Sequence, residues 1–189
     1  MDELYKYLNK ITPISNKTWT LLKDIFVQKE LKKLDYFSKV DKVATKIAFL
    51  QEGVVRSFYT NIEGRELNKN FFVAPALIGA YSSLITQTTN SLAQQALTDC
   101  LIWEAEYANI KQLYDICPDL ERLGRLIAEN YFVEKEIREL NLLNLEAKEY
   151  YKIFKKQYPS LEQQISQFHI ASFLGITPTQ LSRIRADKS

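Results

Sequence analysis

The sequence predicts an α+β chain: an N-terminal jelly-roll β-barrel, one long helix and a helical C-terminal region. Three observations predict it. Between Val27 and Glu106 the residues fall into short β-branched and aromatic segments separated by polar turns. After Pro118, apolar residues recur at alternating intervals of three and four, as on a helix. From Gln167 to Ala186 a helix, a glycine and a second capped helix follow one another. Pro and Gly number only 5 each in 189 residues, too few for a disordered chain.

Residues 2–26 carry two helical patterns, interrupted at Pro13. Leu4, Tyr7, Leu8 and Ile11 recur at helical spacing in the first. Trp19, Leu22, Ile25 and Phe26 share a side of the second, with Ser15 placed to cap it. Strands are expected at Val27–Leu31, Tyr36–Val40, Lys46–Gln51, Val54–Thr60, Arg65–Phe72, Ser91–Ala96 and Cys100–Ala105. Glu52-Gly53 joins two of them tightly, and Asn61-Ile-Glu-Gly64 makes a hairpin turn. Many short strands with regular turns indicate a sandwich or a jelly-roll barrel.

Ala74–Ile85 reads as a loop that passes into a short helix near Gly79. Its backbone N–H groups, with Ser82 and Ser83, are a candidate anion cradle. The competing reading is a crossover that plugs the barrel. That reading is favoured for Tyr81 and Leu84, which it places in the core.

Tyr107–Leu113 reads as a short helix, and 118–141 as a long one. Leu123, Leu126, Asn130, Val133, Ile137 and Leu140 form a heptad seam with one polar member. An Asn in such a seam fixes register and two-strandedness at a cost in stability. Polar flanks (Glu121, Arg122, Arg125, Glu129, Glu134, Lys135) narrow the apolar stripe. A homodimer through this seam is expected; the alternative is that the face packs on the barrel. Residues 142–146 are the expected linker. Leu145–Tyr158 is a further amphipathic helix, with Tyr151 and Phe154 inward. The expected divisions are 1–117, 118–144 and 145–189.

The last division holds the most informative stretch. Ile170, Ala171 and Leu174 share one face of a first helix. Gly175 follows where positive φ is needed, Thr177 can cap the next helix, and Pro178 suits its first position. Leu181 and Ile184 form the second helix's inner face. Ala171 is small where two crossing helices come closest. The outer residues are Thr179, Gln180, Ser182, Arg183 and Arg185, types that reach base edges and phosphates. With Thr177 they are the candidate DNA-binding residues. A helical corner in some other core is the plainer reading, but every spacing here also fits a helix-turn-helix.

Net charge is +2 and does not by itself indicate nucleic acid. Residues 145–189 hold 7 Lys+Arg against 4 Asp+Glu, a weak positive excess on the helix-turn-helix part. Cys100 and Cys117 are too few for a four-cysteine iron–sulfur site or a zinc ribbon, and free buried thiols are expected. One histidine, His169, and no nucleophile–histidine constellation argue against an enzyme, a metal or a cofactor. The polar N-terminus lacks the apolar stretch of a signal peptide, and no apolar run approaches membrane-spanning length. A cytoplasmic protein with no membrane partner is expected.

The order of parts resembles the Crp/Fnr superfamily of bacterial transcription regulators over nearly the whole chain. The carrying residues are Lys46-Ile-Ala-Phe-Leu-Gln-Glu-Gly-Val-Val-Arg56 with Glu63-Gly-Arg-Glu66, then Gly79-Ala-Tyr-Ser-Ser83, then Ile170–Arg185. Ala171-Ser-Phe-Leu-Gly-Ile-Thr-Pro178 and Leu181-Ser-Arg-Ile-Arg185 look like the shorter branch common in Bacteroidetes. The resemblance implies a dimeric regulator on double-stranded DNA. It puts Arg183 where the family's recognition helix reads a guanine. Thr179 stands where an acidic residue often lies, so the preferred DNA differs from that of the cyclic-AMP receptor protein. The sequence ends without room for a C-terminal wing, so backbone contacts are expected from elsewhere.

The effector region departs further. Cyclic-nucleotide binders carry a Gly-Glu pair and, further on, an Arg for the cyclic phosphate. Here stand Gly79-Ala80 and, near Ser91, no Arg. A buried phosphate needs a cation or several N–H donors, so cyclic AMP is not the expected ligand. Gly79, Ala80, Tyr81, Ser82, Ser83 and Ser91 mark where an unidentified small-molecule effector would sit. The family's haem sensors are not matched, because His169 lies outside the barrel. The alternative function is a small-molecule sensor whose DNA binding is degenerate.

Overall fold

Helices α1 (Asp2–Ile11) and α2 (Asn16–Asp24) precede the first strand in the computed structural model, which describes residues 1–187. Ser15 caps α2 by accepting the Thr18 N–H at 3.2 Å. Eight strands follow. They are β1 (Val27–Leu31), β2 (Tyr36–Ser38), β3 (Lys46–Glu52), β4 (Val54–Thr60), β5 (Glu66–Val73), β6 (Ala76–Gly79), β7 (Ala93–Ala96) and β8 (Cys100–Glu106). Helix α3 (Tyr81–Thr86) lies between β6 and β7. Then come α4 (Tyr107–Tyr114), α5 (Pro118–Asn144), α6 (Ala147–Gln157), α7 (Leu161–Gln164), α8 (Gln167–Leu174) and α9 (Pro178–Ala186).

The strands pair antiparallel in two sheets, ordered β1-β8-β3-β6 and β2-β7-β4-β5. That is jelly-roll connectivity. The barrel expected from sequence is not closed: the two sheets stack as a sandwich. The edge strands β2 and β6 are only three and four residues long and offer few groups to bond across to the other sheet. Leu31, Ala48, Leu50, Val55, Ile78, Ala96 and Ile102 fill the space between the sheets. At the β3–β4 turn, Gly53 has φ +99°, and a Cβ there would lie 2.5 Å from the Asp99 carbonyl oxygen.

One strand departs from the sequence reading. Ala76–Gly79 is not loop and helix start but β6, paired in register with Leu50–Ile47 of β3. The four residues of β6, set between Pro75 and α3, are too few to show a period of two. Tyr81 departs as well, being 51% exposed rather than in the core, while Leu84 is buried as expected. The long helix runs to Asn144, which leaves only residues 145–146 of the expected linker outside helices.

Two further cores flank the sandwich. In one, Leu4, Leu8 and Leu22 of the N-terminal helices meet Phe49 of β3 and Leu120 and Leu123 of α5. In the other, Val54, Phe71 and Leu97 on the outer side of the second sheet meet Tyr150, Phe154, Leu161, Ile170, Phe173 and Leu181. The C-terminal helices therefore rest on the jelly roll through a shared aromatic core.

Candidate nucleic-acid interface

The helix-turn-helix is built as its residues dictate. Gly175 ends α8 at φ 73°, and the Ile176 N–H reaches back to the Ala171 carbonyl at 3.0 Å. Thr177 and Gln180 then form a reciprocal capping box. The Thr177 hydroxyl accepts the Gln180 N–H at 3.2 Å, and Gln180 Oε1 accepts the Thr177 N–H at 2.9 Å. Pro178 occupies the first turn. Ala171 and Leu181 are fully buried at the crossing, with Ile184 half-buried beside them.

That local chemistry sorts the candidate residues. Thr179, Ser182 and Arg183 lie exposed on α9. The Arg183 guanidinium makes no hydrogen bond or ion pair among the described residues. Thr177 and Gln180 are exposed but engaged with each other in the cap. Arg185 turns toward α7, with its Nε 3.8 Å from a Glu162 carboxylate oxygen. It lines a cleft of about 520 Å³ that also takes in Lys148, Lys152 and Lys155 of α6. Sequence reasoning missed these lysines as neighbours of α9. Their spacing of four and three on one helix was the available signal.

The heptad residues divide. Leu123 is buried in the chain's own core and Leu126 is half-buried. Asn130, Val133, Ile137 and Leu140 are exposed, as are Phe132 and Leu143. The lower half of α5 thus presents an apolar stripe that nothing among the described residues covers.

In the effector region, Ala80 is buried just ahead of α3. Ser83 accepts the Ala44 N–H at 2.9 Å and donates to the Thr88 carbonyl at 2.6 Å. Both hydrogen-bonding functions of that hydroxyl are taken inside the protein. Gly79, ending β6, accepts from Gln94 Nε2 at 3.1 Å through its carbonyl. Tyr81 meets the Tyr107 ring edge-on at 6.3 Å, and Ser82 and Ser91 are exposed.

His169 points at the jelly roll. Two N–H donors converge on its Nδ1, Arg56 Nη1 at 3.3 Å and Asn68 Nδ2 at 3.4 Å, so that nitrogen is the unprotonated one. Burial, and then the charge of Arg56, push its pKa down to about 4, while Glu66 opposes them. The unfolded chain therefore binds a proton between pH 6.5 and 4 that the folded chain does not. Stability is full above pH 6.5 and falls as pH drops through that window. At pH 5 the expected loss is on the order of 1 kcal/mol, after allowing for solvent screening of the partly exposed ring. Urea titrations of the wild type and His169→Gln at pH 7 and pH 5 measure it. Equal pH dependence in both proteins contradicts the assignment.

Among the described residues, no group of His, Cys, Asp and Glu side chains could hold a metal, and no helix is long and apolar enough to cross a membrane. Both cysteines are free and buried.

No family model and no curated protein matches the chain. Solved structures do match. FixK2 from Bradyrhizobium japonicum is 18% identical, with a TM-score of 0.73 over 86% of this chain and 83% of that one. The c-di-GMP-responsive global regulator CLP of Xanthomonas campestris is 16% identical, with a TM-score of 0.71 over 91% and 90%. A protein from Eubacterium rectale assigned to the transcriptional regulators of the Crp/Fnr family is 15% identical, with a TM-score of 0.70 over 90% and 82%. From the jelly roll through the long helix to the helix-turn-helix, the chain has the fold of the Crp/Fnr transcription regulators.

Proposed function

We propose that this chain is a cytoplasmic, DNA-binding transcription regulator that acts as a homodimer on double-stranded DNA. Residues 1–117 form its sensor part, 118–144 the coupling helix and 145–189 the DNA-binding part. The observation that carries this reading is the outer face of α9. Arg183, unpaired among the described residues, stands with Thr179 and Ser182 on a capped helix behind a glycine turn, within a Crp/Fnr fold. Arg183 would pair with guanine O6 and N7, while the shorter hydroxyls reach neighbouring base edges or phosphates. Arg185 and the lysines of α6 supply positive charge beside the groove.

The exposed half of α5 supports the dimer. Val133, Ile137 and Leu140 continue a heptad seam and are about half exposed in the single chain. A parallel partner helix would cover them. Asn130→Leu is then expected to change the oligomer distribution or raise the dimer's stability. Unchanged sedimentation and melting would remove Asn130 from the seam.

An effector, where one acts, is not cyclic AMP: Ala80 replaces the carboxylate that would hold a ribose, and the Ser83 hydroxyl is already engaged.

Selection from a random pool of duplex DNA, at several salt concentrations, tests the function. The expected result is an enriched palindrome with half-sites about one helical turn apart. Weak, unselective retention would favour a sensor with degenerate DNA binding instead.

A further inference from the structure

The face of the jelly roll beneath α8 carries a polar cluster that the proposed function does not use. Arg56 of β4 is only 4% exposed. Its Nη1 lies 2.6 Å from a Glu66 carboxylate oxygen, and its Nε and Nη2 donate to Gln95 Oε1 at 3.0 and 2.7 Å. Its guanidinium lies 3.8 Å from the centre of the Phe58 ring. Asn68 of β5 donates through Nδ2 to the His169 carbonyl at 3.0 Å. The Ser172 hydroxyl accepts the Asn68 N–H at 2.9 Å and donates to the Glu66 carbonyl at 3.0 Å.

The long helix joins the same cluster. Arg138 Nη2 donates to the carbonyls of Asn68 at 3.3 Å and Phe173 at 3.2 Å. Its Nη1 donates to the Tyr150 hydroxyl, and its guanidinium lies 4.0 Å from the centre of the Phe173 ring. Sheet, coupling helix and helix-turn-helix thus meet within a few residues. A β-bulge assists. The β4–β5 register shifts between Ser57 and Phe58, leaving Lys69 unpaired. Asn68 and Phe71 are three residues apart and would face opposite ways in a regular strand, yet both meet α8.

The two kinds of contact do different work. The aromatic core between Phe71 and Phe154, Tyr158 and Phe173 supplies adhesion, which is non-directional. The polar cluster is directional, and a buried ion pair adds little net stability over an apolar substitute of similar volume. We propose that Arg56, Glu66, Asn68 and Arg138 are positioning residues: they fix the angle at which the helix-turn-helix stands on the jelly roll and on α5. α9 keeps its outer face uncovered in this arrangement, so the contact orients the DNA-reading surface rather than blocking it. In a dimer that angle sets the distance between the two recognition helices. This consequence rests on the proposed function; the angle itself does not.

Two measurements test the proposal. In the first, spin labels at the exposed Ile62 and Lys156 report the distance between sheet and C-terminal helices without DNA. The wild type should give one narrow distance. Arg56→Met with Glu66→Met should keep its melting transition yet broaden that distance at least about twofold. Should the double variant not fold, Ser172→Ala removes only the two bonds to β5 and should broaden the distance in the same direction. A narrow distance in a folded variant overturns the proposal. In the second, a duplex pool with varied half-site spacing is offered to each protein. The wild type should retain one spacing and the folded variant several; one shared spacing overturns the proposal. If the wild type retains no duplex, the DNA reading fails, and the distance measurement alone decides the positioning role.

Discussion

Arg183→Ala is expected to lower affinity for the selected duplex by roughly 5- to 150-fold, the loss of one bidentate guanine contact at about 1–3 kcal/mol. Binding to unrelated duplex DNA should fall much less. The log-affinity slope against log salt should change by about one at most. Arg183→Lys keeps the charge but not the planar fork, so it should restore the weak component and leave the specific one low. Among the described residues nothing holds this guanidinium, so the variant should melt as the wild type does. Equal losses on selected and unrelated DNA would make Arg183 a phosphate contact.

The second large effect is on stability. Phe154 is fully buried, and its ring centre lies 5.4 to 6.4 Å from those of Tyr158, Phe173, Phe71 and Tyr151. It joins α6, α8 and β5. Phe154→Ala removes a large ring that its neighbours cannot collapse to replace, at about 3–5 kcal/mol. That is a large part of the roughly 5–15 kcal/mol that holds a typical domain. Urea unfolding should show the loss, with DNA binding at 37 °C reduced through the unfolded fraction. A cost below about 1 kcal/mol would mean that the aromatic core does not hold the C-terminal helices. Because Arg183→Ala is expected to weaken binding without melting and Phe154→Ala to weaken it through melting, the pair separates recognition from folding.

What was legible in the sequence was local. The glycine turn, the Thr-Pro cap and the inner residues of the helix-turn-helix depend on neighbours a few positions away, and their spacing encodes them. Val27–Leu31 and Val54–Thr60 were legible as strands from end to end, because each is long enough to show its composition. β6 was not, because four residues after a proline carry no period. The capping role of Gln180 was hidden for another reason: one side chain type serves both cap and base edge, and only geometry chooses. Arg56 was visible as a residue of the family-like motif, but its partner His169 lies 113 positions away. No periodicity links them, so that contact exists only once the sheet has folded. Tyr81 illustrates the reverse error, a large aromatic ring read as core that the fold leaves half in water.

The hydroxyl of Ser172 has a consequence beyond orientation. β5 is an edge strand of its sheet, and its outward N–H at Asn68 and C=O at Glu66, which bond to Ser172 rather than to a strand, are the kind that otherwise recruit a strand from another molecule. A side chain on α8, helped by Arg138, terminates that row. The C-terminal helices therefore also cover part of an open edge of the jelly roll. A truncation that ends before Ala147 should elute as higher oligomers or precipitate, and a charged residue at an outward position of β5 should restore it. For this fold, cutting away the helix-turn-helix uncovers a strand edge able to join one copy to the next.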